Sequence, residues 1–211
     1  AELHRGLPQG HVVLDSPVSR IERRGEFWRI HAKGGTFSAE AVVSALPAIS
    51  LAPLLEEEDL ELACVLREIP FASTATASLL FDKKGFPRPL NGYGFIVPRG
   101  EGKAITAATF VSTKFPARVP QGKLLVRCFI GGAGREAPAV EGDAEIGKRA
   151  RAELADILGL GQTAPVESRV YRWPSANPQY TVGHSLRLRR IDSCLKAHRG
   201  LILAGCSYRG V

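Results

Sequence analysis

The sequence has 211 residues, with 28 Lys and Arg against 21 Asp and Glu, which gives a formal net charge of +7. Hydrophobic residues make up 45% and charged residues 23% of the chain, proportions that exclude wholesale disorder, a collagen-like fibre and a disulfide miniprotein. The length suffices for one large domain or two small ones with a sizeable core. Because no run of about 18 apolar residues occurs, no transmembrane helix is predicted.

The cysteines are far apart and include no Cys-x-x-Cys pair, which argues against a zinc ribbon and against a disulfide framework. We expect free, mostly buried thiols in a reducing cytoplasm, at Cys64, Cys128, Cys194 and Cys206. The first ten residues contain no apolar segment of the kind found in secretory signals. We therefore expect a cytoplasmic protein, and leave open an attachment at the periphery of a membrane.

Basic residues are spread along the chain and are densest at Arg187, Arg189, Arg190 and Lys196. Aromatic residues make up only 7% of the chain and none lies within this cluster, so the pattern does not indicate nucleic-acid binding. A solvated helix face is the simplest explanation. An anionic small molecule or an anionic membrane surface is the alternative.

The first part of the chain predicts β-structure followed by helices. Alternating and short apolar runs indicate strands at 11–15, 18–24, 27–31, 36–38 and 40–46. Residues 48–68 have helical spacing in two pieces, separated by Pro53. We expect a three-stranded meander that leads into a buried strand.

The remainder of the chain alternates between strands and helices without a regular repeat. Period-two patterns predict a mostly antiparallel sheet from 72–81, 93–97, 104–112 and 124–130. A helix is predicted at 139–158, a strand at 166–173, an irregular segment at 174–181, a helix at 185–198 and a final strand at 201–204. The order predicts an α+β fold in which the first and last segments share one sheet and the middle is an insertion.

General catalytic motifs are absent from the sequence. No Gly-x-Ser-x-Gly elbow, phosphate loop or metal-binding histidine pair occurs. Gly131-Gly132-Ala133-Gly134 lacks the continuation of a dinucleotide-binding fingerprint, so it predicts a flexible loop after a strand. His184 is interpreted as a helix-start residue that binds backbone groups. No catalytic side chain and no metal site is predicted.

Several segments resemble a known family over essentially the whole chain. They are Ser16-Pro-Val18, Val43-Ser-Ala-Leu-Pro47, Gly92-Tyr-Gly-Phe-Ile-Val-Pro98, Arg172-Trp-Pro-Ser-Ala-Asn-Pro-Gln-Tyr-Thr-Val-Gly-His184 and Leu201-Ile-Leu-Ala-Gly-Cys-Ser-Tyr-Arg-Gly-Val211. Together they resemble the oxygen-dependent protoporphyrinogen oxidases, FAD-containing members of the flavin amine oxidase superfamily that act in haem biosynthesis. The Trp173 to His184 segment is the most specific.

The resemblance implies part of a FAD-binding domain at 1–67 and 172–211, with a substrate-binding domain inserted at 68–171. It matches only the C-terminal half of such an enzyme, without the Gly-rich loop that covers the FAD pyrophosphate. The chain starts at Ala1 instead of Met, which agrees with a piece of a longer reading frame. We expect the chain alone to be colourless and inactive, and its oligomeric state stays open.

The resemblance also implies roles for individual residues. Contacts with FAD fall on Val18, Trp173, Gly210 and Val211, and contacts with a porphyrinogen substrate on Tyr93, Gly94, Ile96 and Phe129. In this family the flavin performs the oxidation, which agrees with the absence of a catalytic side-chain set. Two alternatives stay open: another relative, such as an amine oxidase or carotenoid desaturase, and a non-catalytic module that binds an anionic ligand.

Overall fold

The structure is a computed structural model that describes residues 6–8, 10–87 and 89–210. The chain divides into two compact units. The outer unit consists of the residues up to Pro70 together with those from Tyr180 onward, and the inserted unit is Phe71–Gln179. Each unit has its own sheet structure. No helix in the described ranges is long and apolar enough to cross a bilayer.

The outer unit begins with an antiparallel meander of β1 (Val18–Arg24), β2 (Phe27–Ala32) and β3 (Gly35–Ala39). The predicted strand at 11–15 is wrong: the segment pairs with no strand among the described residues. All five of its residues are exposed, so burial does not hold them extended. Asp15 also has a φ of 53°, which lies outside the β region.

The second element of the outer unit is a parallel pair, β4 (Val42–Ser44) and β10 (Leu201–Leu203). This pairing confirms that the first and last segments of the chain share a sheet. The predicted helical region appears as α1 (Ala48–Leu51), a 3₁₀ turn and α2 (Leu60–Arg67). The 3₁₀ turn contains Pro53, whose ring disfavours continuation of the preceding helix.

The inserted unit contains one antiparallel sheet of β5 (Phe71–Asp82), β6 (Gly94–Ile96), β7 (Ile105–Phe110), β8 (Lys123–Gly131) and β9 (Glu167–Pro178), in the order β6-β7-β8-β5-β9. Two α-helices lie between its strands, α3 (Val111–Lys114) and α4 (Asp143–Leu158). The 12-residue helix α5 (His184–Leu195) belongs to the outer unit. The α+β fold class is thereby confirmed.

The prediction of an irregular segment from residue 174 is wrong, because β9 continues to Pro178. Its partner β5 is 12 residues long, and the two strands pair as far as Phe71 of β5, which lies opposite Pro178 of β9. A shift in register between Ala72 and Thr74 accommodates the Pro-containing stretch. At this shift the Ser175 N–H donates to Ser73 Oγ at 2.9 Å.

The core of the inserted unit lies on only one face of its sheet. Alternate residues of the strands pack there with the apolar stripe of α4, including Leu79, Val126, Ile130, Ile146 and Leu154, each at most 1% exposed. The opposite residues of the same strands are partly or fully exposed. We call this second face, with the side chains of Thr74, Thr76, Arg127, Phe129, Tyr171 and Trp173, the open face.

Candidate functional site

Strand register brings predicted substrate residues together on the open face. Directly paired residues of antiparallel strands project from the same side of a sheet. One row across the sheet consists of Ile96, Ala107, Phe129, Thr76 and Tyr171. The neighbouring row contains Gly94, Thr109, Arg127 and Ser78. Ile96 and Phe129 therefore project from one surface.

A groove of about 670 Å³ runs over this face. Its lining is Thr74, Thr76, Thr106, Arg127, Phe129, Ile130, Tyr171, Trp173 and Asn177. Trp173 is 52% exposed and Phe129 37% exposed, so both rings are accessible to a ligand. The lining contains no Asp or Glu. The groove therefore offers flat apolar walls, hydroxyl groups and a single cation, and no carboxylate for acid or base catalysis.

Of the predicted substrate residues only Phe129 lines this groove; Ile96 projects from the same face outside its lining, and Tyr93 and Gly94 have other surroundings. Tyr93 lies just before β6, with 67% of the residue exposed, and lines neither this groove nor the basic groove described next. Gly94 has a φ of 148°, and a Cβ there would lie 2.0 Å from the Ala108 carbonyl oxygen. Gly94 is thus required by the close approach of β6 to β7, whatever it contributes to a ligand.

A smaller groove of about 270 Å³ adjoins the first and shares Arg127 and Phe129 with it. The remaining lining is Thr109, Val111, Lys114, Phe115, Arg118 and Leu125. We call it the basic groove, because three cations and no carboxylate line it. The sequence analysis missed this cluster. A detectable signal was the close spacing of Lys114, Phe115 and Arg118 directly after a predicted strand.

In the outer unit, two of the family-like segments meet. The Tyr180 hydroxyl donates to the carbonyl of Cys206 and accepts the N–H of Gly210 at 2.9 Å. The His184 ring stacks on Tyr180 with the ring centroids 4.2 Å apart. These contacts hold the segment Gly205–Gly210 against Tyr180 and His184. We call this segment the C-terminal turn.

His184 is the first residue of α5 and binds a backbone group, as its position in the sequence indicates. Its Nε2 lies 2.8 Å from the Tyr208 carbonyl oxygen. Since a carbonyl only accepts, Nε2 carries the proton. The Nδ1 atom is buried without a partner among the described residues. His184 therefore stabilises the C-terminal turn.

The predicted flavin residues fall in both units. Val18 is the half-buried first residue of β1, and Gly210 ends the C-terminal turn. Val211 lies outside the described residues. Trp173 belongs to the open face of the inserted unit. The C-terminal turn follows β10, at the edge where the carboxyl ends of the parallel strands β4 and β10 lie.

A polar pair of the partly buried Asp59 and the buried His198 lies elsewhere in the outer unit. Asp59 Oδ2 is 2.6 Å from His198 Nε2, and Asp59 Oδ1 accepts the Leu62 N–H at 2.8 Å as the N-cap of α2. Burial by itself raises the pKa of Asp59, but the hydrogen bonds from Leu62 and His198 outweigh it and lower the pKa below its ordinary value.

The cysteines give no sign of a reactive thiol. Cys128 is fully buried in the sheet, and burial raises its pKa to about 12. The expectation of mostly buried thiols is wrong, because Cys64 and Cys206 are exposed and Cys194 is half-buried. In the described part of the chain, no group of three His, Cys, Asp or Glu side chains could hold a metal ion.

Comparison with known proteins identifies the family to which the chain belongs. Residues 1–211 match the family of flavin-containing amine oxidoreductases, and the chain belongs to that family. It is 28% identical over its whole length to coproporphyrinogen III oxidase of Bacillus subtilis (strain 168), and covers 44% of that protein. It is 32% identical over 95% of its length to human protoporphyrinogen oxidase, and covers 43% of that protein.

Among solved structures, the chain is similar to a protein from Exiguobacterium sp. 255-15 with a provisional assignment as protoporphyrinogen oxidase. The TM-score is 0.86 at 29% identity, over 99% of this chain and 45% of that one. The chain thus spans less than half the length of the relatives it matches. Its fold is that of part of a FAD-dependent oxidoreductase, with an antiparallel sheet inserted.

Proposed function

We propose that the chain is the substrate-binding part of a FAD-dependent porphyrinogen oxidase of haem biosynthesis. The observation that carries the proposal is the open face, where Phe129, Trp173 and Ile96 present exposed apolar surface on rigid strands. Relatives named coproporphyrinogen and protoporphyrinogen oxidases support the same reading. We assign FAD contacts to residues 1–67 and 172–211 and substrate contacts to residues 68–171, except that Trp173 lines the substrate groove and is assigned to the substrate.

A porphyrinogen is a wide macrocycle that is largely apolar and carries carboxylate side chains. A ligand of this kind needs extended apolar walls and few polar groups. The groove of about 670 Å³ supplies these with three aromatic side chains, threonine hydroxyls and Arg127. A cationic amine substrate would instead be expected to meet a carboxylate, and the groove contains no Asp or Glu.

The outer unit is suited to hold a flavin at the edge formed by β4 and β10. Ligands of parallel sheets bind outside the carboxyl ends of the strands. At this edge Ser44 Oγ is buried without a partner among the described residues. Gly210 has a φ of 90° and open space where a Cβ would stand, so a flat ring can approach its backbone. Val18 would contribute backbone groups.

The flavin, when bound, would accept hydride from the porphyrinogen and pass the electrons to oxygen. The residues of this chain would bind and orient the porphyrinogen and the flavin. Phe129 and Trp173 would hold the macrocycle flat, and the apolar groove would exclude water from the reacting carbon. Tyr180 and His184 would fix the C-terminal turn against the ring. No proton transfer is assigned to a side chain of the open face.

The proposal is tested by titrating the 211-residue chain with coproporphyrin III and following porphyrin fluorescence. Phe129→Asp places a carboxylate in the middle of the groove, and we expect at least a tenfold weaker affinity, since it repels the anionic ligand and spoils the apolar wall. Phe129 is partly exposed, so the variant should fold.

The matched control is Val166→Asp, which adds the same charge at a residue that is 52% exposed in the inserted unit and does not line the groove. Its affinity should equal that of the unsubstituted chain. Equal weakening by both variants, or unchanged binding by Phe129→Asp, would refute the proposal.

A further inference from the structure

We propose that Lys114, Arg118 and Arg127 form a carboxylate-binding subsite that makes the chain favour a tetracarboxylic porphyrin over a dicarboxylic one. The inference rests on the proposed function and specifies the substrate class of the same site. The three side chains line the basic groove, next to the groove of the open face. Nothing in the sequence motifs points to this role.

The position of the basic groove relative to the open face supports the assignment. Arg127 and Phe129 line both grooves, so the two grooves adjoin at β8. Arg127 pairs with Thr109 and Ser78, one row from the row that contains Phe129. A macrocycle that lies on Phe129 would therefore direct its edge substituents toward the three cations.

The cations of the basic groove differ in pairing from three other arginines of the inserted unit. Arg149 pairs with Glu141, Arg169 with Glu167 and Arg172 with Asp143, at N–O distances of 2.6 to 2.8 Å. In contrast, none of the cations of the basic groove has a carboxylate within 4.0 Å among the described residues. An unpaired cluster of like charges attracts an anion strongly.

Neighbouring groups hold the cations in place. The Phe115 ring has Lys114 Nζ at 5.4 Å and the Arg118 guanidinium at 4.6 Å from its centroid, both within the range of cation–π attraction. Arg127 Nε lies 3.4 Å from Ser78 Oγ, which leaves the terminal nitrogens of the guanidinium free to bind a carboxylate in bidentate fashion. Little side-chain ordering is then required on binding.

The choice of ligand follows from the number of carboxylates. A dicarboxylic porphyrin bears its acidic groups on one edge only, whereas a tetracarboxylic porphyrin bears them around the ring. A tetracarboxylic ligand therefore places an acidic group at the basic groove whichever edge faces it. Charge-assisted hydrogen bonds of this kind correspond to about ten- to hundredfold in affinity.

The test is a fluorescence titration of the 211-residue chain with three probes: coproporphyrin III, protoporphyrin IX and the tetramethyl ester of coproporphyrin III. The test variant combines Lys114→Gln, Arg118→Gln and Arg127→Gln. A second triple variant, Lys84→Gln with Lys148→Gln and Arg151→Gln, removes three positive charges from residues of the inserted unit that line neither groove, and is the matched control for loss of charge. Circular dichroism checks that each variant is folded.

We expect the unsubstituted chain to bind coproporphyrin III more tightly than protoporphyrin IX. The test variant should lose about ten- to hundredfold in affinity for coproporphyrin III and retain its affinity for the uncharged ester. Unchanged coproporphyrin affinity overturns the inference alone. Failure of the unsubstituted chain to bind any of the three probes overturns the proposed function together with it.

An anionic vesicle of phosphatidylglycerol and phosphatidylcholine distinguishes a membrane surface from a porphyrin. If the test variant loses sedimentation with these vesicles while its coproporphyrin affinity is unchanged, the basic groove binds lipid headgroups and the inference is wrong. If vesicle binding is equal in all variants and coproporphyrin binding falls only in the test variant, the carboxylate subsite is supported.

Discussion

The two candidate regions are built in different ways. In the C-terminal turn of the outer unit, backbone groups are fixed by specific polar contacts, such as the Tyr180 hydroxyl between Cys206 and Gly210. In the open face of the inserted unit, side chains project from regularly paired strands while the opposite face packs on α4. One region depends on particular hydrogen bonds and the other on strand periodicity.

The difference shows which substitutions each region tolerates. Exchanging one exposed residue of the open face leaves the packed core beneath it intact, because alternate residues of a strand lie on opposite faces. Substitution of a residue that contacts the C-terminal turn would disturb the turn itself, because each polar contact there satisfies a backbone group. Ligand recognition can therefore be changed by substitution on the open face with little effect on folding.

The largest expected effect on stability is at Gly94, a residue of the inserted sheet whose substitution would disturb the fold. A Cβ there would lie 2.0 Å from the Ala108 carbonyl oxygen, so Gly94→Ala combines a steric clash with a strained φ of 148°. We expect a loss of about 4 kcal/mol in the free energy of unfolding. Denaturant titration of the far-UV dichroism measures it.

Gly92→Ala is the matched control, because Gly92 also has a positive φ of 82° but nothing within 4 Å of its added Cβ. Backbone strain alone predicts a loss of about 1 kcal/mol. Equal losses in the two variants would show that β6 does not approach β7 as closely as described.

The second-largest loss of stability is expected at the pair of Asp59 and His198 in the outer unit. Asp59→Ala removes both the N-cap of α2 and the partner of His198, and should cost about 2 kcal/mol. Asp59→Asn keeps a capping side chain and removes the charge, so its loss should be smaller. Unfolding followed by fluorescence of Trp28, whose ring lies 5.8 Å from that of His198, measures both.

The same pair predicts a dependence on pH. The folded pKa of Asp59 is lower than its ordinary value, so the stabilising contribution is present at neutral pH. It is lost as the pH falls below about 4, through the lowered folded pKa. Asp59→Asn should lack this decrease. A decrease of the same size in Asp59→Asn would assign the acid sensitivity to another group.

The smallest effect is expected at the C-terminal turn. Tyr180→Phe keeps the ring that stacks on His184 but removes the hydroxyl between Cys206 and Gly210. We expect a loss of about 1 kcal/mol and faster hydrogen exchange of the Gly210 amide. Tyr171→Phe, a loss of a hydroxyl on the open face, is the control and should leave that amide unchanged. Unaltered exchange in Tyr180→Phe would contradict the described contact.

Much of the fold could be predicted from the sequence, because hydrophobic periods are local. The period of two located the strands of the inserted unit, and the apolar stripe of α4 located its helix. The extension of β9 to Pro178 could not be predicted, because proline and serine in the segment favour turns. The length of β5 and a shift in register overcome that local preference.

The candidate site was predictable only in part. Alternation places Gly94 and Ile96 on one side of a strand, but the register that joins Ile96 to Phe129 depends on β7, which lies between their strands. The basic groove depends on α3 and the turn after it, which bring Lys114 and Arg118 next to Arg127 of β8. The close spacing of Lys114, Phe115 and Arg118 is visible in the sequence, but their position beside Arg127 is not.

The central claim is that a porphyrin lies on the open face, and the two tryptophans of the chain test it most directly. In a ¹H–¹⁵N spectrum each indole N–H gives its own signal, and the ring current of a bound porphyrin shifts nearby protons. Trp173 is exposed on the open face, whereas the buried Trp28 indole donates to the Arg199 carbonyl at 3.0 Å. On addition of coproporphyrin III, the account predicts a saturable shift of the Trp173 signal and an unchanged Trp28 signal. An unchanged Trp173 signal at saturating porphyrin would contradict it.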